Sequence, residues 1–186
     1  MHLTSPRIAP LADADMSPDE EAALAPLLDG PAGVLNIFRT LAHAPDALKA
    51  FLTWGSYILS KRNALPPRER EIVILRIGYL CRSGYEWAQH VEIGKRVGVT
   101  ADEIARIKIG KGFGDADTAL IRACDELHAR QFVSDTVWAA LRSHFSEKQC
   151  MDVVFTAGQY TQVSMMLNTF GVQLDPGQTL DPDLRA

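Results

Sequence analysis

The sequence predicts an all-α domain of about eight or nine helices, and three observations predict it. Apolar residues recur at three- and four-residue spacing through most of the chain. No window alternates with period two for more than a few residues, so strands lack support. Helix-capping signals stand before several of the periodic runs.

Taken in order, Ser17-Pro18-Asp19-Glu20 places a cap residue before Pro at the first helical position, with Glu three residues after the cap. The short helix EEAALAPLL follows. VLNIFRTLAHAP and DALKAFLTWGSYILS carry helical apolar spacing (Leu48, Phe51, Leu52, Tyr57, Leu59) and are separated at Pro45. Pro66-Pro67 opens a helix that is apolar almost all round from Ile72 to Leu80, the signature of a buried central element. Gly84 separates it from YEWAQHVEIGKRVG, which ends at Gly98 beside Lys95 and Arg96, cations suited to a helix C-terminus.

Thr100-Ala101-Asp102-Glu103 is a capping box for a short helix. After the loop GKGFGDAD come TALIRACDELHARQF and DTVWAALRSHF. Ser146 and Gln149 then cap a long helix reaching about Gly171, with Val153, Val154, Ala157, Tyr160, Thr161 and Ser164 on one side. The Pro- and Asp-rich tail LDPGQTLDPDLRA reads as a surface extension. This divides the chain into an N-terminal extension (1–16), one helical domain (17–172) and a C-terminal tail (173–186), without repeats.

Composition narrows the function. With 186 residues, 47% of them apolar and 23% charged, the chain can bury a core without disulfides or structural metals. Nineteen basic against 23 acidic residues, a net charge of −4, give no electrostatic case for nucleic acid. No apolar run approaches the ~20 residues of a membrane span, and no targeting pattern opens the chain, so a cytoplasmic location is expected. Cys81, Cys124 and Cys150 have no paired spacing and read as small core residues. Gly110, Gly112 and Gly114 follow a helix rather than a strand and read as an interhelical loop, not a phosphate cradle. His43, His128 and His144 read as surface residues, and no spacing suits a metal.

The chemistry concentrates between Glu71 and His90. Glu86 and His90 are four residues apart, hence on one helix face, and Ile93 and Val97 continue that stripe as apolar. The pair is therefore expected to face the core beside Tyr85 and Trp87. Burial raises a carboxyl pKa and a nearby carboxylate raises that of imidazole, giving a proton-transfer pair usable near neutrality. Glu71 leads the stripe Leu75, Gly78, Arg82 on the preceding helix, and an antiparallel pairing would bring it to His90. A polar cluster that merely joins two helices is the competing reading.

Glu71, Ser83, Glu86 and His90 fall on the frame E-x11-C-x2-C-x3-H, and the text PPREREIVILRIGYLCRSGYEWAQHVEIGKRVGVTADEI around them resembles the carboxymuconolactone decarboxylase/alkylhydroperoxidase D-like superfamily over about residues 30 to 172. The frame's two cysteines are Ser83 and Glu86 here, so a two-thiol peroxidase is disfavoured. The resemblance instead implies decarboxylation of a cyclic carboxylate, with no metal or organic cofactor. In that reaction His90 would donate the proton, Glu86 hold its tautomer and Glu71 relay or orient. Ser83, Tyr85, Trp87 and Arg82 would be the substrate contacts, with Arg70 or Arg82 anchoring a carboxylate. It also implies a homo-oligomer (dimer, trimer or hexamer) acting on a small molecule, with no nucleic-acid or membrane partner. A non-catalytic ligand-binding module remains the alternative to an enzyme.

Overall fold

The computed structural model describes residues 2–28 and 34–185, and among these the regular structure is helical throughout. Nine α-helices follow one another: α1 (Pro18–Leu28), α2 (Asn36–Leu41), α3 (Pro45–Leu59), α4 (Pro67–Leu80), α5 (Gly84–Arg96), α6 (Ala101–Ile109), α7 (Asp115–Arg130), α8 (Asp135–His144) and α9 (Glu147–Phe170). Single 3-10 turns lie at Asp13–Asp15 and Pro182–Leu184. None of these helices is long and apolar enough to cross a membrane.

The local reasons hold at most boundaries. Thr100 and Glu103 close a reciprocal capping box at α6, and Ser146 and Gln149 do the same at α9. Pro45 and Pro67 occupy first-turn positions, where a missing N–H costs nothing. Gly110 and Gly171 end α6 and α9 in the left-handed conformation. At α1 the box is only half formed: Ser17 donates from both its backbone N–H and its hydroxyl to the Glu20 carboxylate.

Helix α4 is the axis of the molecule. Every residue from Glu71 to Gly78 is buried, and α5, α7 and α9 pack around it. Between α4 and α5 the chain reverses in three residues. Ser83 N–H reaches the Gly78 carbonyl and Arg82 N–H the Tyr79 carbonyl, a Schellman closure with Arg82 as the left-handed residue at φ +53°. The two helices therefore run antiparallel. Gly78 lets them approach closely, since a Cβ there would lie 3.0 Å from Glu86 Cγ.

The tail corrects the expectation of a surface extension. Leu184 is 1% exposed in the main core, and Leu174 and Leu180 pack against buried clusters. Asp181 accepts from Trp87 Nε1 at 3.1 Å and from Lys108. Pro and Asp disfavour a long α-helix there, but nothing about them prevents docking.

Candidate active site

Antiparallel packing of α4 on α5 sets Glu71 opposite His90, and the i,i+4 spacing on α5 sets Glu86 one turn away. Glu71, Glu86 and His90 are 2, 3 and 7% exposed. His90 Nδ1 lies 2.7 Å from Glu71 Oε2, and His90 Nε2 lies 3.4 Å from Glu86 Oε1. The three groups form a row, carboxylate–imidazole–carboxylate. Glu71 rather than Glu86 makes the hydrogen bond that fixes the ring, which exchanges the roles the sequence suggested for the two acids. Tyr160 of α9 closes the far side, its ring edge-on to His90 at 4.9 Å between centroids.

Electrostatics poise the row. Burial pushes Glu86 up to about 7, with Glu71 adding to the rise and His90 opposing it. For His90, burial disfavours the charged ring, but Glu71 and Glu86 outweigh it and the ring is held above its ordinary value. Burial, then the two carboxylates, keep Tyr160 a neutral phenol.

Glu86 and His90 border a cavity of about 350 Å³. Its other walls are mostly apolar, from α2 (Ile37, Phe38), α3 (Phe51, Leu52, Gly55) and α9 (Val163), with Ser56, Tyr85, Gln89, Gln159 and Tyr160 as further polar side chains. Glu71 stands behind His90 and does not border the space.

Of the expected substrate contacts, Tyr85 lines the cavity and three residues lie elsewhere. Trp87, about 100° round the helix from Glu86, turns to the tail and donates to Asp181. Ser83 is fully buried beneath the α4–α5 turn, its Oγ without a hydrogen-bond partner. Arg82 is exposed, because the left-handed turn takes it off the α4 stripe, and its guanidinium donates to the Arg185 carbonyl. Arg70 donates to the Ser60 carbonyl. Cys124 and Cys150 are buried, whereas Cys81 is half-buried with Sγ 3.7 Å from His128 Nδ1, and burial pushes its thiol up. Among the described residues no group of three or more His, Cys, Asp or Glu is placed to hold a metal.

Two further residues belong to the site. Gln159 reaches it from α9, adjacent to Tyr160 in sequence; a Gln beside an inward Tyr on a core helix was the available signal. Asp175, from the tail, accepts from Asn36 N–H at the start of α2, from Tyr85 OH and from Gln89 Nε2, so it ties two cavity walls together. Burial, followed by this carboxylate, raises the Tyr85 phenol well above its ordinary value. No local pattern announces Asp175, because its partners are 86 to 139 residues away.

The helical core, with α4 and α5 packed antiparallel at its centre, has the alkylhydroperoxidase D-like fold. Residues 45–126 match the model of the carboxymuconolactone decarboxylase family. The fold is shared with the alkylhydroperoxidase AhpD core of a peroxidase-related protein from Ralstonia eutropha JMP134 (TM-score 0.77, 20% identity, 91% of this chain and 93% of that one). It is shared too with a peroxidase-related protein from Silicibacter sp. TM1040 (TM-score 0.74, 13% identity, 94% and 92%). A third similar structure is a cysteine-to-alanine variant of the debrominase Bmp8 in complex with 2,3,4-tribromopyrrole (TM-score 0.76, 13% identity, 93% and 94%). No curated protein matches the chain.

Proposed function

We propose that this chain is an acid/base enzyme that moves a proton to or from carbon in a small ring-shaped substrate. The observation that carries the reading is the buried Glu71–His90–Glu86 row, two members of which border an apolar cavity. Glu86, poised near neutrality, exchanges the proton with substrate. His90 Nε2 replenishes or drains Glu86, and Glu71 fixes the Nδ1–H tautomer and stabilises the imidazolium while the ring carries the extra proton. In a lactone, the C–H electron pair would move into the conjugated carbonyl as the proton leaves, and return to a carbon when the proton is given back.

Decarboxylation, the activity in the family's name, would draw on the same proton delivery once CO₂ has left a dienolate. Thiol chemistry finds less support. Ser83 and Glu86 occupy the two cysteine positions of the frame, and Cys81 does not border the cavity.

The test is deuterium incorporation from D₂O into α-angelica lactone, an uncharged unsaturated lactone, alongside CO₂ release from 4-carboxymuconolactone. Wild type should accelerate at least one of them, and Glu86→Gln and His90→Ala should each lose about 10²–10⁴-fold. Equal rates in wild type and both variants would leave a scaffold that binds without turnover.

A further inference from the structure

We propose that the cavity takes an uncharged, mostly apolar ring compound bearing one hydroxyl or N–H group, and that Gln159 and Glu86 recognise that group. The inference rests on the acid/base site described above and names its ligand class, which differs from the cyclic carboxylate expected from the sequence.

Three observations carry it. First, among the described residues bordering the cavity there is no Lys or Arg. The nearby Arg70 donates to the Ser60 carbonyl, and Arg82 faces outward to the Arg185 carbonyl. Second, the row itself offers an anion no net attraction. Two carboxyl groups flank a single imidazole there, so the row presents no excess of positive groups. A carboxylate entering this space would give up its hydration for a neutral or negative wall.

Third, the polar side chains at the cavity are short of donors. Gln159 is 5% exposed and Glu86 3%, and each has a buried side-chain oxygen, Oε1, that accepts no hydrogen bond, that of Glu86 lying 3.4 Å from His90 Nε2 without the geometry of one. Buried acceptors of this kind are rare in native structures, where most are satisfied. A ligand O–H or N–H supplies the missing donor, while a carboxylate would set acceptor against acceptor. A site built around such a group discriminates strongly against analogues that lack it. The cavity volume, about 350 Å³, lies in the range of small-molecule sites.

The experiment compares three probes of one shape at pH 8: 2-naphthol, naphthalene and 2-naphthoate. Binding of 2-naphthol is followed by its fluorescence and the others by competition, in wild type and Gln159→Leu. In wild type 2-naphthol should bind about tenfold more tightly than naphthalene, and 2-naphthoate most weakly. Gln159→Leu should reduce the preference for 2-naphthol over naphthalene by about half on a logarithmic scale while naphthalene still binds, which also shows that the variant is folded. The proposal is overturned if 2-naphthoate equals or exceeds 2-naphthol, if Gln159→Leu leaves the ratio of 2-naphthol to naphthalene unaltered, or if none of the three binds. Binding is read at equilibrium, so a protein that takes 2-naphthol yet exchanges no lactone proton loses the acid/base reading and keeps this one.

Discussion

Replacing Glu86 by Gln removes a titrating proton from the middle of the molecule, and the effect on stability can be worked out. The unfolded carboxyl has its ordinary value near 4.5, whereas the folded one is pushed to about 7 by burial. Between those values the folded chain holds a proton that the unfolded chain has lost, so stability falls as pH rises through the window. The contribution is largest below pH 4.5 and is gone above 7. From pH 5 to pH 8 the loss is about 2–3 kcal/mol. For a chain of this size that is about 5–10 °C in melting temperature.

His90, also raised, acts in the same direction: its contribution is complete below its unfolded value and is lost as pH rises through the folded one. Groups shifted the other way do not mask the slope. Burial pushes Glu103 up, but hydrogen bonds from Thr100 and Arg68 hold it at about 2, so its contribution is almost fully present by pH 5. Urea unfolding of wild type and Glu86→Gln at half-unit steps from pH 5 to 8 measures the difference. Wild type should lose stability towards pH 8, and the variant should show a slope shallower by about 2 kcal/mol, with greater stability than wild type at pH 8. Parallel profiles, or a wild type that gains stability with pH, would refute the burial argument.

Three further outcomes follow from particular contacts. Gly78→Ala gains about 0.5–1 kcal/mol of helix propensity but presses a Cβ against Glu86 Cγ, and overpacking costs about 1–3 kcal/mol, so thermal unfolding should show a net loss near 1 kcal/mol. Asp175→Ala leaves Asn36 N–H, Tyr85 OH and Gln89 without their shared acceptor, and should cost about 2 kcal/mol and weaken 2-naphthol binding, measured by denaturation and titration. Asp152→Ala removes the buried carboxylate that accepts from Tyr57 OH, Ala64 N–H and Lys148, and should cost about 3 kcal/mol in the same denaturation assay with ligand binding retained.

What the sequence showed and what it hid divide along the range of the interactions. Boundaries set by a cap within four residues, such as Thr100–Glu103 and Ser146–Gln149, were legible because the whole cause is local. The burial of α4 was legible because an all-round apolar surface has one destination. The Glu71–His90 contact needed one added assumption, an antiparallel pair. Trp87 and Arg82 left the site for geometric reasons: adjacent positions on a helix diverge by about 100°, and a left-handed residue ends the stripe to which it seemed to belong. Gln159 came to the cavity, and Asp175 to the residues that build its walls, from elements remote in sequence, where periodicity carries no information about partners.

The bond from Tyr85 to Asp175 spans 90 residues, and the one from Asn36 to Asp175 spans 139. During synthesis, α4 and α5 can leave the ribosome and pair long before residue 175 exists, so the Glu71–His90–Glu86 row can assemble while its apolar chamber still stands open on one side. Completion of that wall is a late event of high contact order, expected to be slower than the local helix pairing. A nascent chain halted between those two moments would expose Ile37, Phe38 and Phe51 to water, and that interval is when association with other unfinished chains threatens the protein most.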